Sequence, residues 1–358
     1  MPVALAGSKY KILHTFGSGN DANSPSGPLT LDKKGNLYGA TYGGGPQNDG
    51  TVFELVGTGG KWTEKILYSF PVGSDGATPF GNLVMDVGGN LYGDTPQDGG
   101  FAPSTLFELS PGSKGWNHAV LYEPGSYGGL VLDRSGDIYG FMGLGDSGAG
   151  AIAVLSPGSK GWTYTQLYSF CSAGCPDGVE PDAPLSWDAQ GNLYGTTLFG
   201  GNGSPKCPGN LGCGVAFQMT PNSDGTWTYH VMHRFANFPT DGQYPYSGLV
   251  VDGSGNAYGA TAGGGAHGNG TIFKMTPSSG GRWKQSVLYD FPNCAEGCAP
   301  SFTLVFDKAG NLYGAGGGGN PGCGPYTCGT VFKLSPQNNG AWKYSVCLLY
   351  TSPSPRDS

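Results

Sequence analysis

One phrase occurs six times along this chain. It reads DKKGNLYGATYGGG at Asp32 to Gly45. It returns, altered, as DVGGNLYGDTPQDGG, DRSGDIYGFMGLGDSG, DAQGNLYGTTLFGG, DGSGNAYGATAGGG and DKAGNLYGAGGGG. Its tyrosine falls at Tyr38, Tyr92, Tyr139, Tyr194, Tyr258 and Tyr313, so successive copies lie 54, 47, 55, 64 and 55 residues apart. Such a repeat constrains the fold more than any local propensity, because it marks a unit that buries its surface only against copies of itself.

Each unit has four parts in fixed order. An apolar run ending in Asp, such as GNLVMD (81–86), precedes the NLYG phrase. GTVFEL (50–55) follows, echoed as STLFEL, GVAFQM, GTIFKM and GTVFKL. A Trp-led run closes the unit, as in WTEKILYSF (62–70), WTYTQLYSF (162–170) and WKQSVLYDF (283–291). These runs are short, rich in Val, Leu, Tyr, Phe and Thr, and bounded by turn residues, so they read as strands. No segment carries a helical period. Four strands, a to d, in a unit of this length make one propeller blade.

The expected fold is therefore an all-β β-propeller with six four-stranded repeats. It forms a single domain over residues 1–346, with units at about 17–70, 71–124, 125–170, 171–235, 236–291 and 292–346. KYKILHTF (9–16) matches a d strand such as EKILYSF (64–70), which adds one extra N-terminal strand. A spare d strand implies a fragment of a seven-bladed or longer ring. The end, CLLYTSPSPRDS (347–358), carries no repeat signal and is set aside as a foreign or disordered tail.

The chain has 358 residues and 68 glycines, without a Gly-X-Y period, and its aromatics are plentiful, so neither collagen nor disorder fits. The glycines sit between apolar runs as turn punctuation. Only 12% of residues are charged, the net charge is -7 and no Lys/Arg cluster exists, which argues against a nucleic-acid partner. No apolar run reaches the length of a transmembrane helix. The start, MPVALAGSKYKILHTF, has neither the basic leader nor the apolar length of a signal peptide.

In DKKGNLYG, the Asp and Gly form the a–b hairpin turn. Asp bonds backbone N–H groups and Gly supplies a positive φ. Asp32, Asp86, Asp133, Asp188, Asp252 and Asp307 are read as turn formers, since a calcium loop alternates several oxygen ligands and each of these turns offers one. The combined pattern DxxGNLYGxTxxGG…GTVFEL resembles the tandem repeat called GloVer, found in bacterial proteins with a choice of surface anchors, over most of residues 10–346. That resemblance implies a secreted or surface-anchored propeller-like protein without an assigned activity, and it supplies no catalytic residue. The Asp–x–x–Gly–Asn–x–Tyr piece is similar to other propeller repeats as well, some lyases among them.

The a–b and c–d turns are short and uniform. The d–a and b–c loops vary, as TYGGGPQNDGT (41–51) against TLFGGNGSPKCPGNLGCG (197–214) shows. Binding residues favour variable loops on a rigid scaffold, so the d–a/b–c face is the expected functional face. Eight of nine cysteines lie there: Cys171, Cys175, Cys207 and Cys213 in unit four, and Cys294, Cys298, Cys323 and Cys328 in unit six. Disulfides of an exported protein explain them most simply, with a four-thiolate zinc site as the rival.

Five d–a loops carry an acid four positions before a proline: Asp21, Asp75, Asp177, Asp241 and Glu296. They read as turn chemistry, or as a partial acidic ring. In the second reading Asp75, Asp177 and Asp241, with Tyr244 and Tyr246, bind a hydroxyl-rich or calcium-bridged ligand. Calcium is the one cofactor considered, and no resident metal is expected. Tyr42, Phe199 and Tyr326 offer further rings for stacking or for covering their own loops. Ser147 in GLGDSG lacks a sequence partner for catalysis, and the odd spacing of His230 and His233 puts them on opposite faces of a strand. The six tryptophans of the d runs, Trp62 through Trp342, read as packing residues, with Trp187 outside the series. The expected function is non-enzymatic binding of a glycan or protein at the cell surface or outside the cell. An extracellular lyase or hydrolase acting on polysaccharide and a purely structural array are the alternatives.

Overall fold

The computed structural model describes residues 3–4, 11–17, 21–71, 76–95, 104–123, 128–171, 174–181, 183–201, 207, 212–235, 241–295, 297–318 and 329–350. The fold is all-β, a β-propeller of six four-stranded antiparallel blades. Among the described residues no helix is long and apolar enough to cross a membrane. The chain divides into two compact units, residues 11–169 and residues 1–10 with 170–358.

The unit of residues 11–169 holds three blades. Blade one comprises Ala22–Leu31, Leu37–Gly44, Thr51–Thr58 and Lys61–Ser69 as strands a to d. Blade two comprises Val84–Met85, Leu91–Thr95, Thr105–Gly112 and Gly115–Tyr122. Blade three comprises Val131–Leu132, Ile138–Phe141, Ala151–Gly158 and Gly161–Ser169. The other unit holds blade four, Ser186–Trp187, Leu193–Thr197, Val215–Pro221 and Trp227–Arg234. Blade five is Val250–Val251, Ala257–Thr261, Thr271–Ser278 and Arg282–Asp290. Blade six is Val305–Phe306, Leu312–Gly317, Gly329–Pro336 and Trp342–Tyr350.

Burial explains the composition of each strand. Strand b is buried along its whole length in blades two to five, so LYGDT, IYGF, LYGTT and AYGAT show no polar alternation. Strand d alternates exposed and half-buried residues, the period-two pattern of a strand with one wet face.

The glycine of NLYG serves close packing. A Cβ at Gly39, Gly93, Gly195, Gly259 or Gly314 would stand 2.5–2.6 Å from the tip of the strand-c ring Phe53, Phe107, Phe217, Phe273 or Phe332. Blade three has Ala153 where the others have Phe.

The aspartate of the phrase closes the a–b turn as expected. Asp32 Oδ1 accepts the N–H groups of Lys34 at 2.8 Å and Asn36 at 2.9 Å, and Oδ2 accepts the Asn36 amide at 2.9 Å. Asp188, Asp252 and Asp307 accept the corresponding three bonds. Side-chain and backbone hydrogen bonds from Asn311 hold the Asp307 carboxyl below the usual carboxylate range.

All six c–d ladders break register immediately before the strand-c phenylalanine or its equivalent, at Val52/Phe53, Leu106/Phe107, Ile152/Ala153, Ala216/Phe217, Ile272/Phe273 and Val331/Phe332. The d strand carries the extra residue of this bulge. In blade one Val52 faces Tyr68 and Phe53 faces Ile66, leaving Leu67 over. In blade six Val331 faces Leu348 and Phe332 faces Val346, leaving Cys347 over. Cys347 thus holds the repeat's bulge position, and strand d runs on to Tyr350 past the expected boundary at 346. Residues 351–358 lie outside the described residues.

The N-terminal strand is Val3–Ala4, paired with Leu349 and Leu348 at the edge of blade six. Residues 11–17 join no ladder. They still place Phe16 edge-on to Phe53, ring centroids 5.0 Å apart, as Phe70 meets Phe107 at 5.2 Å. Tyr10 lies outside the described residues.

Gly259→Ala forces a methyl group into Phe273 and Leu249, and should cost about 1–3 kcal/mol in urea or guanidinium unfolding. Gly253→Ala, where a Cβ meets nothing within 4 Å, is the control and should unfold as the wild type does.

Candidate functional site

Three places bring chemistry-bearing side chains together. The first is the d–a loops. The residue before each loop proline is left-handed: Ser24 (φ 56°), Thr78 (50°), Glu180 (54°), Tyr244 (58°) and Ala299 (45°). Non-glycine residues resist this region, and the following proline disfavours helical backbone further. Backbone hydrogen bonds to the preceding blade's b–c loop hold three of these residues. Thr78, Tyr244 and Ala299 donate their N–H groups to the carbonyls of Asp49 at 2.7 Å, Cys213 at 2.9 Å and Asn269 at 2.8 Å.

Within these loops Asp177 and Asp241 are buried. Asp177 Oδ1 accepts the Cys171 N–H at 3.1 Å. Asp241 Oδ1 accepts the Gly242 N–H at 2.8 Å and the Gln285 amide at 3.4 Å, and its Oδ2 lies 2.7 Å from His233 Nε2. Both carboxylates therefore face their own loops and seams. Asp75 and Glu296 lie outside the described residues.

Tyr246 is 43% exposed and its N–H reaches the Tyr244 carbonyl at 2.9 Å, while Phe199 meets Tyr244 edge-on at 5.7 Å. Burial, with Tyr246 beside it, raises the Tyr244 phenol above its ordinary value. Tyr42 is exposed as well, in the other unit. Tyr326 lies outside the described residues.

Disulfides join Cys171 to Cys175, Cys207 to Cys213 and Cys294 to Cys298, each closing a short loop on itself. Cys323 and Cys328 lie outside the described residues. Ser147 sits on an exposed turn closed by the Gly148 N–H on the Gly145 carbonyl.

The second place is the seam between successive blades. The residue two before the phenylalanine that closes a d run (Phe16 in the N-terminal segment, Pro124 at the corresponding position of blade two) faces the residue two after the next blade's d-strand tryptophan. In three seams these are stacked rings: Tyr68 on His118 at 4.4 Å, Tyr122 on Tyr164 at 4.8 Å and Tyr289 on Tyr344 at 4.1 Å. In two seams a histidine replaces the first ring and a loop aspartate joins it. His233, Asp241 and Gln285 form one such group. His14, Asp21 and Glu64 form the other, with His14 Nε2 3.0 Å from Glu64 Oε2. Here two carboxyls face each other. Burial first, then Asp21, pushes Glu64 up to about 8, and the hydrogen bond with Glu64 draws Asp21 down.

The third place is a pocket of about 300 Å³ between blades four and five, at the a–b and c–d turns. Trp283 and Tyr194 meet edge-on at 6.1 Å in its wall, with Asp188, Gln218, His230 and Arg282 around them. Asp188 Oδ2 accepts the Tyr194 hydroxyl at 2.9 Å, and the Gln218 amide donates to that hydroxyl at 2.8 Å. Burial, then Asp188, raises the Tyr194 phenol well above its ordinary value. His230 and His233 thus serve different places, one the pocket and the other the seam.

Sequence reasoning left both the pocket and the seam groups unassigned. Their signal was present in the repeat alignment, where Gln218, His230, His14 and Glu64 depart from their neighbours in register.

The repeats make the chain a β-propeller repeat protein. The Gloeobacter/Verrucomicrobia repeat model matches residues 1–126 and 206–348, and the chain belongs to that family. A comparison with curated proteins returns no significant match. Among solved structures, a hypothetical selenium-binding protein from Sulfolobus tokodaii is similar at TM-score 0.55 and 11% identity, over 87% of this chain and 74% of that one. An ulvan lyase, a polysaccharide lyase bound to -[GlcA(1-4)Rha3S]-, is similar at TM-score 0.54 and 12% identity, over 94% of this chain and 87% of that one. At these identities the likeness is one of fold.

Proteolytic mapping without reductant should return the peptides spanning 171–175, 207–213 and 294–298 free of alkylation, and labelled only after reduction. Label on any of the six before reduction would contradict the pairing.

Proposed function

We propose that the protein is a non-enzymatic, extracellular or cell-surface propeller that binds an acidic carbohydrate in the pocket between blades four and five. The observation that carries this reading is which pocket groups remain available. Asp188 already accepts the N–H groups of Gln190 and Asn192, the Asn192 amide and the Tyr194 hydroxyl. The exposed charged or titratable groups left to meet a ligand are Arg282 and His230, with the polar Gln190 and Ser278 also exposed and Trp283 half-buried beside them. A pyranose ring packs its C–H face on an indole, and a guanidinium is always charged and matches a carboxylate or sulfate bidentately. The similar ulvan lyase shows that this fold can carry a saccharide. The three disulfides support an oxidising compartment.

A second reading keeps the ligand on the d–a/b–c face, at Tyr244 and Tyr246 beside Asp241. The exposed Tyr246 ring favours it. In that reading Asp177 and Asp241 shape the loops that present the tyrosines.

Titration with uronate-bearing or sulfated oligosaccharides and their neutral counterparts tests both. Binding should favour the acidic members and fall at least about tenfold in Trp283→Ala and in Arg282→Gln, with Tyr246→Ala unchanged. The saccharides should be recovered uncut. Loss in Tyr246→Ala with Trp283→Ala intact would move the ligand to the loop face. No binding to any acidic member would overturn the proposal.

A further inference from the structure

The seam where residues 11–17 meet blade one carries an arrangement that its counterparts do not. His14, Asp21 and Glu64 bring one imidazole nitrogen and two carboxylate oxygens within 4.8 Å of one another. The Glu64 side chain is only 8% exposed, yet its Oε1 is buried without a hydrogen-bond partner, and His14 Nε2, 3.0 Å from Glu64 Oε2, is likewise buried without a well-formed hydrogen bond. Asp21 is anchored on its other side, where its Oδ2 accepts the Gly17 N–H at 2.7 Å.

The equivalent seam of blades four and five serves as an internal comparison. There Gln285 stands where Glu64 stands, and its amide donates to Asp241, which also takes the Gly242 N–H and His233. That seam is closed by its own hydrogen bonds. Replacing the amide with a carboxylate, as the first seam does, removes the donor and adds an acceptor. Two carboxyl groups and an imidazole nitrogen then converge within 4.8 Å of one another.

We propose that His14, Asp21 and Glu64 form a binding site for one divalent transition cation of the zinc class. One nitrogen and two oxygens suit such an ion, whereas calcium and magnesium prefer all-oxygen shells. Bond lengths of about 2.0–2.2 Å require the three ligand atoms to close slightly around the ion, which their side-chain torsions permit.

The site also has a structural consequence. Residues 11–17 join no ladder, and Phe16 against Phe53 and the Lys11 ammonium on the Gly60 carbonyl at 2.6 Å are contacts tying them to blade one. An ion shared by His14, the d–a loop and strand d would fasten this segment to the blade.

Untagged protein stripped with chelator should take up one zinc ion per chain in calorimetry and bind calcium at least about a hundredfold more weakly. Zinc should raise the melting temperature and slow tryptic cleavage after Lys11. Glu64→Gln copies the chemistry of the other seam, so it should fold, lose zinc affinity at least about tenfold and lose the protection of Lys11. Asp21→Asn provides a second variant with the same expected loss should Glu64→Gln fold poorly. The proposal fails if wild-type protein binds no zinc. It also fails if either folded variant binds zinc as the wild type does, since the ion would then sit on other groups.

Discussion

A blade of this protein cannot bury its own faces, and the contact that resolves this is a pair of phenylalanines. In five seams a ring that ends a d strand, or Phe16 of the N-terminal segment, meets the strand-c ring of a blade: Phe16 with Phe53, Phe70 with Phe107, Phe170 with Phe217, Phe235 with Phe273 and Phe291 with Phe332. For blades two and three the sequence has Pro124 and Ala153 at these positions instead. Centroids lie 5.0–5.6 Å apart, the range in which ring edges meet ring faces favourably. Each strand-c ring rests on a strand-b glycine, and the bulge in the c–d ladder comes immediately before it. The NLYG glycine, the strand-c Phe and the LYSF ending are therefore one device written in three places. This is why the phrase recurs as a whole.

Around that fixed pair, other seam positions are free to change, and there the chemistry differs. Stacked tyrosine or histidine rings fill three seams with packed aromatic surface. A histidine and an aspartate in the same place bring titratable groups into a half-buried setting without altering the strands. His233–Asp241–Gln285 and His14–Asp21–Glu64 differ by one amide against one carboxylate. That difference decides whether the group closes on itself or leaves buried acceptors facing one another, and buried acceptors without donors carry a desolvation cost.

Much of the fold was legible because repetition averages out local ambiguity. Six copies of the a–b turn made Asp and Gly recognisable as hairpin formers, and four strands per unit followed from the turn residues between them. The boundary at 346 was misjudged because Cys347 and Leu348 stand where blade five has Leu288 and Tyr289. A bulge position tolerates that change, but the written motif disguises it. The site was less legible. Position on a variable loop does not reveal whether a carboxylate points outward, and Asp177 and Asp241 turn inward to N–H groups, a histidine and an amide. The pocket was missed because its walls come from strands and turns that seemed uniform.

The pocket itself follows from how one strand-c position is filled. That position faces the tyrosine of the repeated phrase, and its occupants are Glu54, Glu108, Val154, Gln218, Lys274 and Lys333. In blades five and six the lysine ammonium lies over the tyrosine ring, at 5.4 Å from Tyr258 and 5.5 Å from Tyr313. In blade one Glu54 binds the Tyr38 hydroxyl at 3.0 Å and Lys65 at 3.4 Å, closing the same space with an ion pair. In blade four the shorter, neutral Gln218 bonds the Tyr194 hydroxyl edge-on and leaves no cation over the ring. His230 stands where blade one has Lys65, and Arg282 enters from the c–d turn of blade five. A concavity thus opens at a place that blades one, five and six fill, and Gln218, His230 and Arg282 in its lining are found at no other copy of their positions, beside the Asp188 and Tyr194 that match the repeated phrase.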